Sequence, residues 1–599
     1  MNSPASLNNI KRARRDTFIR YLVSAFGWMV LLTLLVLIAH LVSQALPLAY
    51  IPQLEKESTF RLGSEGEFVA TGDILNGELA MVRQGCLIAL LAQKKQALTR
   101  ESDYRRPCDY SLSTVQYLGQ HYLADVSPSG QLRIMPSREL ARARSRNETA
   151  QTEPLQETFH NTIMLSFALN ADVWKQTRQW GVQLSGRWVA VSQRTDTANR
   201  VRWIPLKRPT EFTDQQFNLN ERVLPLAGTG TTAVTMGRNL RFEDLQGNTH
   251  QVLLDSPVRW WKALPKDRTL LIADERGVLT RWVLSNQQGQ FRYIKSWSAA
   301  LPGGVVPKDV VAHASANAFA LLGTDHAVRI FNRITGERVS RTTLDEDADA
   351  LSWHGNRLYV QSARSIAVWR VSHLSGVTTW SSLFSQQQYE GYESPTVVWQ
   401  TTSATDYQEA KYSITPLLIG SLKASVIALF IAIPVSVGAA VYTAYFARNR
   451  LRHIIRPAIE MLEAIPSVLI GFIAAIWLTP LAEQFLFSFA FFLITVPVIL
   501  AIVAIFQHRV ARKLPVAVRH GSEIVIALTG IVVLGYISMT IAPAWLMAMF
   551  DVDGLSYLSH GAETPVGKAT LVVAIALGLA ISPGIYSLAE DAINGVPQQ

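Results

Sequence analysis

Few residues in this sequence could do chemistry, and none of them forms a catalytic set. The clearest group closes the chain, where an apolar run from Lys568 passes into Ser587-Leu-Ala-Glu590-Asp591-Ala-Ile-Asn-Gly595-Val-Pro597. An apolar helix that hands a short acidic segment to the membrane surface transmits movement; it does not make or break bonds. A second group is Pro466-Ser467-Val-Leu-Ile-Gly471, inside another apolar stretch, with Pro583 in the last run as a further helix break. Proline removes a backbone donor, and in a bilayer the freed groups need protein or water partners. Such a break either lines a pathway or is a kink near the start of a span. Lys423 lies early in its apolar run. An ammonium there either snorkels outward to the headgroups or attracts an anion at the outer mouth of a pore. Cys86 and Cys108 are the only cysteines. In an oxidising compartment they can close a loop of about twenty residues, worth on the order of 3 kcal/mol; otherwise they are two buried thiols.

What is missing narrows the reading further. There is no metal-ligand spacing, no nucleophile elbow and no phosphate-binding loop of the Walker type, so no cofactor or metal is expected and any ATP hydrolysis belongs to another chain. The formal charge is +10. The Lys and Arg clusters, however, flank apolar runs, where cytoplasmic loops concentrate them, and this argues against nucleic acid as a partner.

These groups must be positioned by two kinds of element. Of the 599 residues 49% are hydrophobic, too many for an ordinary soluble protein and too few for a chain that is membrane throughout. The N-terminus carries Lys11, Arg12, Arg14, Arg15 and Arg20 before an apolar run over 21–42. That run covers the roughly 30 Å hydrocarbon core and is too long for a signal-peptide h-region, so residues 1–20 read as a cytoplasmic basic segment and 21–42 as an uncleaved anchor. Further apolar runs occupy about 416–446, 461–480, 486–506, 524–550 and 568 onward. The basic loops Arg448–Arg456 and Arg509–Arg519 alternate with an acidic loop holding Asp551, Asp553 and Glu563. Six spans with the N-terminus inside put both basic loops in the cytoplasm, and the acidic loop and residues 43–412 outside.

Residues 43–412 alternate and repeat. His121–Ile134, Thr269–Trp282, Ala318–Phe331 and Arg357–Trp369 each read as strand, tight turn, strand. Trp203, Phe242, Trp282, Phe331 and Trp369 recur about forty residues apart, with one longer interval that reads as a loop insertion. That is the period of a four-stranded blade, and it predicts an all-β propeller of about six to eight blades. The aromatics read as packing between blades, and the propeller as a binding or docking module.

Three stretches together resemble the permease subunits of phosphate-type ABC importers. They are Gly420-Ser-Leu-Lys-Ala-Ser425 with Ile433-Pro434 and Tyr442-Thr-Ala-Tyr-Phe446, then Ile465-Pro-Ser-Val-Leu-Ile-Gly471, then Ser587–Pro597. The resemblance covers roughly the last third of the chain, with the long insertion after the first span resembling an enlarged form of the first of the two phosphate permeases. It implies a membrane α-helical bundle over 416–599 carrying the periplasmic propeller, in the bacterial inner membrane. It implies as partners an ABC ATPase subunit, a second permease subunit and a periplasmic phosphate-binding protein, besides the lipid bilayer. Glu590, Asp591, Gly595 and Pro597 would then open the loop that docks on the ATPase. In this family the chain continues beyond that loop, so the sequence is expected to be C-terminally truncated, and the runs at 486–506 and 524–550 read as insertions. A membrane-anchored propeller scaffold or sensor, or a fragment of a split permease, is the alternative.

Overall fold

The computed structural model describes residues 4–62, 66–95, 97–136, 165–400, 405–463, 465–474, 522–540 and 568–595, with short pieces between 476 and 505. The chain forms two compact units, Met1–Ile414 and Thr415–Gln599.

In the first unit helix α1 (Pro4–Ala45) runs into a 3-10 turn, Leu46–Ala49. Strand β1 (Gln53–Arg61) follows, and then seven antiparallel four-stranded sheets complete a propeller. Six blades use consecutive strands: β2–β5 (Glu67–Arg105), β6–β9 (Ser111–Ala168), β10–β13 (Thr177–Phe217), β14–β17 (Arg222–Leu253), β18–β21 (Val258–Ala300) and β22–β25 (Pro307–Thr343). The seventh takes β26 (Ala350–His354), β27 (Arg357–Gln361) and β28 (Ser365–Ser372), and borrows β1 from the start of the domain as its outer strand. That pairing staples the two ends of the ring together.

Burial follows the blades. Seven apolar clusters each join one blade to the next, and the one holding Phe60, Phe68, Val82, Tyr359 and Ile366 joins the first blade to the seventh. A blade therefore cannot bury its faces alone, and stability requires the closed ring. Trp203, Phe242, Trp282, Phe331 and Trp369 all lie on the third strand of their blades, and all are buried. The longer interval between Trp282 and Phe331 is not an inserted loop. It reflects the extended hairpin of β20 (Val278–Gln287) and β21 (Gln290–Ala300). The backbone folds Cys86 and Cys108 together in a disulfide, beside the Arg106 amide that donates to the Cys86 carbonyl.

After the ring closes, residues 373–400 and 405–414 return over the blades as a strap. Its charged side chains are buried only in combination. Arg281 pairs with Glu409, Arg333 pairs with Glu390 at 2.7 Å, and Thr269 Oγ1 donates to Glu390 Oε1 at 2.6 Å. The Glu390 amide donates to Glu409 Oε2 at 3.0 Å, and Arg333 Nη1 donates to the Tyr407 carbonyl at 3.0 Å. Burial, with Arg333 nearby, pulls the Arg281 guanidinium down to about 9, still charged at neutral pH. A network of this kind is tolerated because each charge has an opposite within reach.

The second unit is helical: α2 (Thr415–Val441) with a π-turn at Tyr442–Phe446, α3 (Asn449–Glu463), α4 (Ser467–Ile473), α5 (Ser522–Thr540) and α6 (Lys568–Asn594). Among the described residues, three helical segments are long and apolar enough to cross a membrane: Arg20–Ala49, Thr415–Phe446 and Val572–Asn594. The expectation of six spans therefore reduces to these three in the described residues. Most of 486–506 lies outside them. Of the expected span at 524–550, residues up to Thr540 are helical in α5 and 541–550 lie outside the described residues. The expected span at 461–480 is interrupted at Pro466. The stretch expected to be a basic loop, 448–456, is instead helical, because its arginines and apolar residues alternate with an amphipathic helical period.

Candidate functional site

The element that positions the candidate residues is the pairing of α6 with α2. On α2 the buried residues are Ala424, Ala428, Ala432, Ser436 and Ala440, each one four positions after the last. Lipid gives apolar side chains no reason to leave it for another helix, so close backbone approach across small residues supplies the attraction instead. Gly578 on α6 lies against α2: a Cβ there would sit 3.2 Å from the Ala428 carbonyl oxygen. Further along, Ser436 Oγ donates to the Ser582 carbonyl at 2.8 Å, next to Pro583, which is buried within α6.

The polar groups gather toward the C-terminal end of α6. Tyr586 Oη donates to Thr443 Oγ1 at 2.8 Å, and that hydroxyl in turn donates back to the Ala439 carbonyl at 2.9 Å. Arg452 on α3 donates to the Thr443 carbonyl through Nε (3.1 Å) and Nη2 (2.9 Å), and to the Ala444 carbonyl at 2.6 Å. It thereby satisfies carbonyls at the end of α2 that have no helical partner and places a positive charge at the negative end of that helix. One turn on, Arg456 reaches Asp591 at 3.5 Å, with both side chains half exposed. Glu590 is 1% exposed, and its Oε1 has no hydrogen-bond partner among the described residues.

The structure thus brings together some of the expected site residues and not others. Glu590 and Asp591 share the end of α6 but face opposite environments, one buried and one solvated. Gly595 forms the turn that ends the helix, its amide donating to the Asp591 carbonyl at 2.9 Å. Pro597 lies outside the described residues. Pro466 is exposed and forms the N-cap of α4, with an extended ψ of 128° that separates α4 from α3. Ser467 is the first residue of α4, and Gly471, also on α4, is exposed. Lys423 is half-buried on α2, directly before Ala424, with no ion-pair partner among the described residues. Sequence reasoning missed Thr443, Arg452, Arg456 and Tyr586. A signal was available: Arg452 and Arg456 are four residues apart, as one helical face requires.

No protein-family model matches the chain. Stretches of it are similar to curated permeases. It is 32% identical over 87 residues to a probable ABC transporter permease protein, YqgH, of Bacillus subtilis, covering 14% of this chain and 27% of that one. It is 42% identical over 71 residues to the phosphate transport system permease protein PstC 1 of Mycobacterium tuberculosis, covering 12% and 21%. It is 43% identical over 77 residues to the phosphate transport system permease protein PstC of Haemophilus influenzae, covering 13% and 24%. The chain carries an ABC permease-like region. It spans about a quarter of the length of these relatives. Solved propellers also align: the Myceliophthora Cps50 (Swd1) β-propeller domain at 10% identity and TM-score 0.36, covering 53% of this chain and 99% of that one, and BamB of Moraxella catarrhalis at 14% and 0.31, covering 53% and 100%. At those scores the propeller assignment rests on the strand pairing alone.

Proposed function

We propose that the helical region is the pathway-forming permease part of an ATP-driven ABC importer for inorganic phosphate, in a bacterial inner membrane. The N-terminus is cytoplasmic and the propeller periplasmic. A second permease completes the pathway, a periplasmic binding protein delivers the anion, and a separate ATPase subunit hydrolyses ATP, so the chain itself is not an enzyme. Phosphate enters past Lys423 and passes between helices that rock at the breaks around Pro466 and Pro583.

The observation that carries this reading is the end of α6, within a chain whose permease-like stretches match phosphate permeases. A carboxylate is expensive to bury. The chain nevertheless buries Glu590 there, with Asp591 held by Arg456 on the neighbouring helix. Force applied at this end reaches α2 through Tyr586 and Thr443 and reaches α3 through the Arg456–Asp591 pair, so one contact moves three helices together.

The test uses the assembled transporter. Changing Glu590 and Asp591 to Ala is expected to abolish phosphate-stimulated ATP hydrolysis while the subunits still co-purify. Unchanged stimulation removes these residues from coupling. A membrane-anchored scaffold or sensor is the second reading, favoured by the small share of the chain that the permease similarity covers. It gains if stimulated hydrolysis survives both substitutions yet the assembly falls apart without this chain.

A further inference from the structure

We infer that the propeller is seated directly on the lipid bilayer through an aromatic and aliphatic rim built by residues 46–51 and 374–399. The strand pairing places this rim. Gln53 at the start of β1 pairs with Ser372 at the end of β28, so the chain arriving from α1 and the chain leaving the last blade meet at one edge of the ring. They are fastened there. Tyr50 and His373 rings lie 4.9 Å apart, Ser375 Oγ donates to the Pro47 carbonyl at 3.3 Å, and Gly376 packs so closely on the Tyr50 carbonyl that any Cβ would collide with it. The helical turn Trp380–Phe384 follows, and the Ile414 amide donates to the Leu383 carbonyl at 2.9 Å. Thr415, the next residue, opens the apolar segment Thr415–Phe446. Both passages of the chain toward membrane-spanning helices therefore leave the same rim of the propeller unit.

This rim is apolar where a protein surface in water should not be. Leu48, Tyr50 and Ile51 are 48, 47 and 64% exposed, Trp380 79%, and Phe384 and Trp399 43 and 42%. Trp380 and Phe384 stack on each other at 5.7 Å. Scattered exposed apolar residues need no explanation, but a cluster rich in Trp and Tyr that is continuous with the ends of membrane spans has the composition of the headgroup boundary. Rings of this kind place an apolar body in the acyl region and a polar edge among the headgroups. Lipid is the occupant because the rim is continuous with α1, which is itself exposed along its whole apolar length. The inference rests on the membrane-span reading of α1 and needs no transport activity.

The full-length protein in nanodiscs of phosphatidylcholine and phosphatidylglycerol provides the test. With Cys86 and Cys108 joined, a single added cysteine can carry a nitroxide. Labels at Trp380→Cys and Phe384→Cys are compared with labels at Leu253→Cys and Phe291→Cys, exposed apolar positions on blade strands. The rim labels are expected to show a severalfold higher ratio of oxygen to nickel-chelate collisions than the blade labels. Equal ratios mean that the rim stands in water and overturn the inference. Exclusion of both reagents from the rim means that protein covers it, and also overturns it. An independent check leaves the rim otherwise intact: with brominated acyl chains, Trp380→Phe should reduce the quenchable tryptophan fluorescence, and no reduction contradicts the seating. Failure of the transport assays would leave these contrasts unchanged, whereas failure to enter nanodiscs would remove the membrane reading itself.

Discussion

The propeller and the helical region solve the same problem, burying polar groups, in opposite ways. The propeller buries full charges and answers each with another: Arg281, Arg333, Glu390 and Glu409 form one closed set beneath the strap. The helical region buries mostly small residues and ties α2 to α6 with single hydroxyls. A closed charge network fixes one arrangement, because removing any member strands the rest. The α2–α6 contact rests instead on close backbone approach and single hydrogen bonds.

The comparison breaks most visibly if the strap network proves dispensable. Glu409→Ala leaves Arg281 and Arg333 buried with Glu390 as their remaining carboxylate, and is expected to destabilise the propeller by about 3–5 kcal/mol. Thermal melts followed by β-sheet circular dichroism read this, and a loss below about 1 kcal/mol would place the network outside the stability of the ring. Next in size is Gly578→Val, which puts branched carbons against the Ala428 carbonyl and should weaken the α2–α6 contact by about 1–3 kcal/mol. Cross-linking between Ser436→Cys and Ser582→Cys reports it, with the disulfide yield expected to fall severalfold. An unchanged yield would mean that the helices approach elsewhere.

How much of this was legible beforehand also divides along the two regions. In the propeller, strand alternation and the recurrence of Trp203, Phe242, Trp282, Phe331 and Trp369 report local geometry that every blade repeats, so the propeller fold could be read, though not its blade count. The strap network could not: Glu409 and Arg281 are far apart in sequence, and nothing local marks them as partners. In the helical region apolar runs announced α2 and α6. The polar contacts at the end of α6 depend on how the helices pack, so Tyr586 and Arg452 carried no signal beyond their spacing. The segment 448–456 was misread because clustered arginines favour a loop reading, although Arg452 and Arg456 share a helical face.

The smallest expected effect sharpens the comparison through pH. Burial, reinforced by nearby His354, pulls His121 in the second blade from 6.5 down to about 4, so the folded ring holds it neutral. Unfolding releases it to bind a proton. Its contribution is therefore intact above pH 6.5 and lost as pH falls toward 4. His121→Gln should flatten that part of the stability–pH curve for the propeller, and an unaltered slope would assign the acid sensitivity to other groups.

The central claim is transport, and uptake tests it most directly. Proteoliposomes carrying this chain with the proposed second permease and ATPase, supplied with ATP and a phosphate-loaded binding protein, are expected to accumulate radiolabelled phosphate, and to stop when this chain is omitted. Accumulation that continues without the chain, or no accumulation with the full set present, would contradict the account.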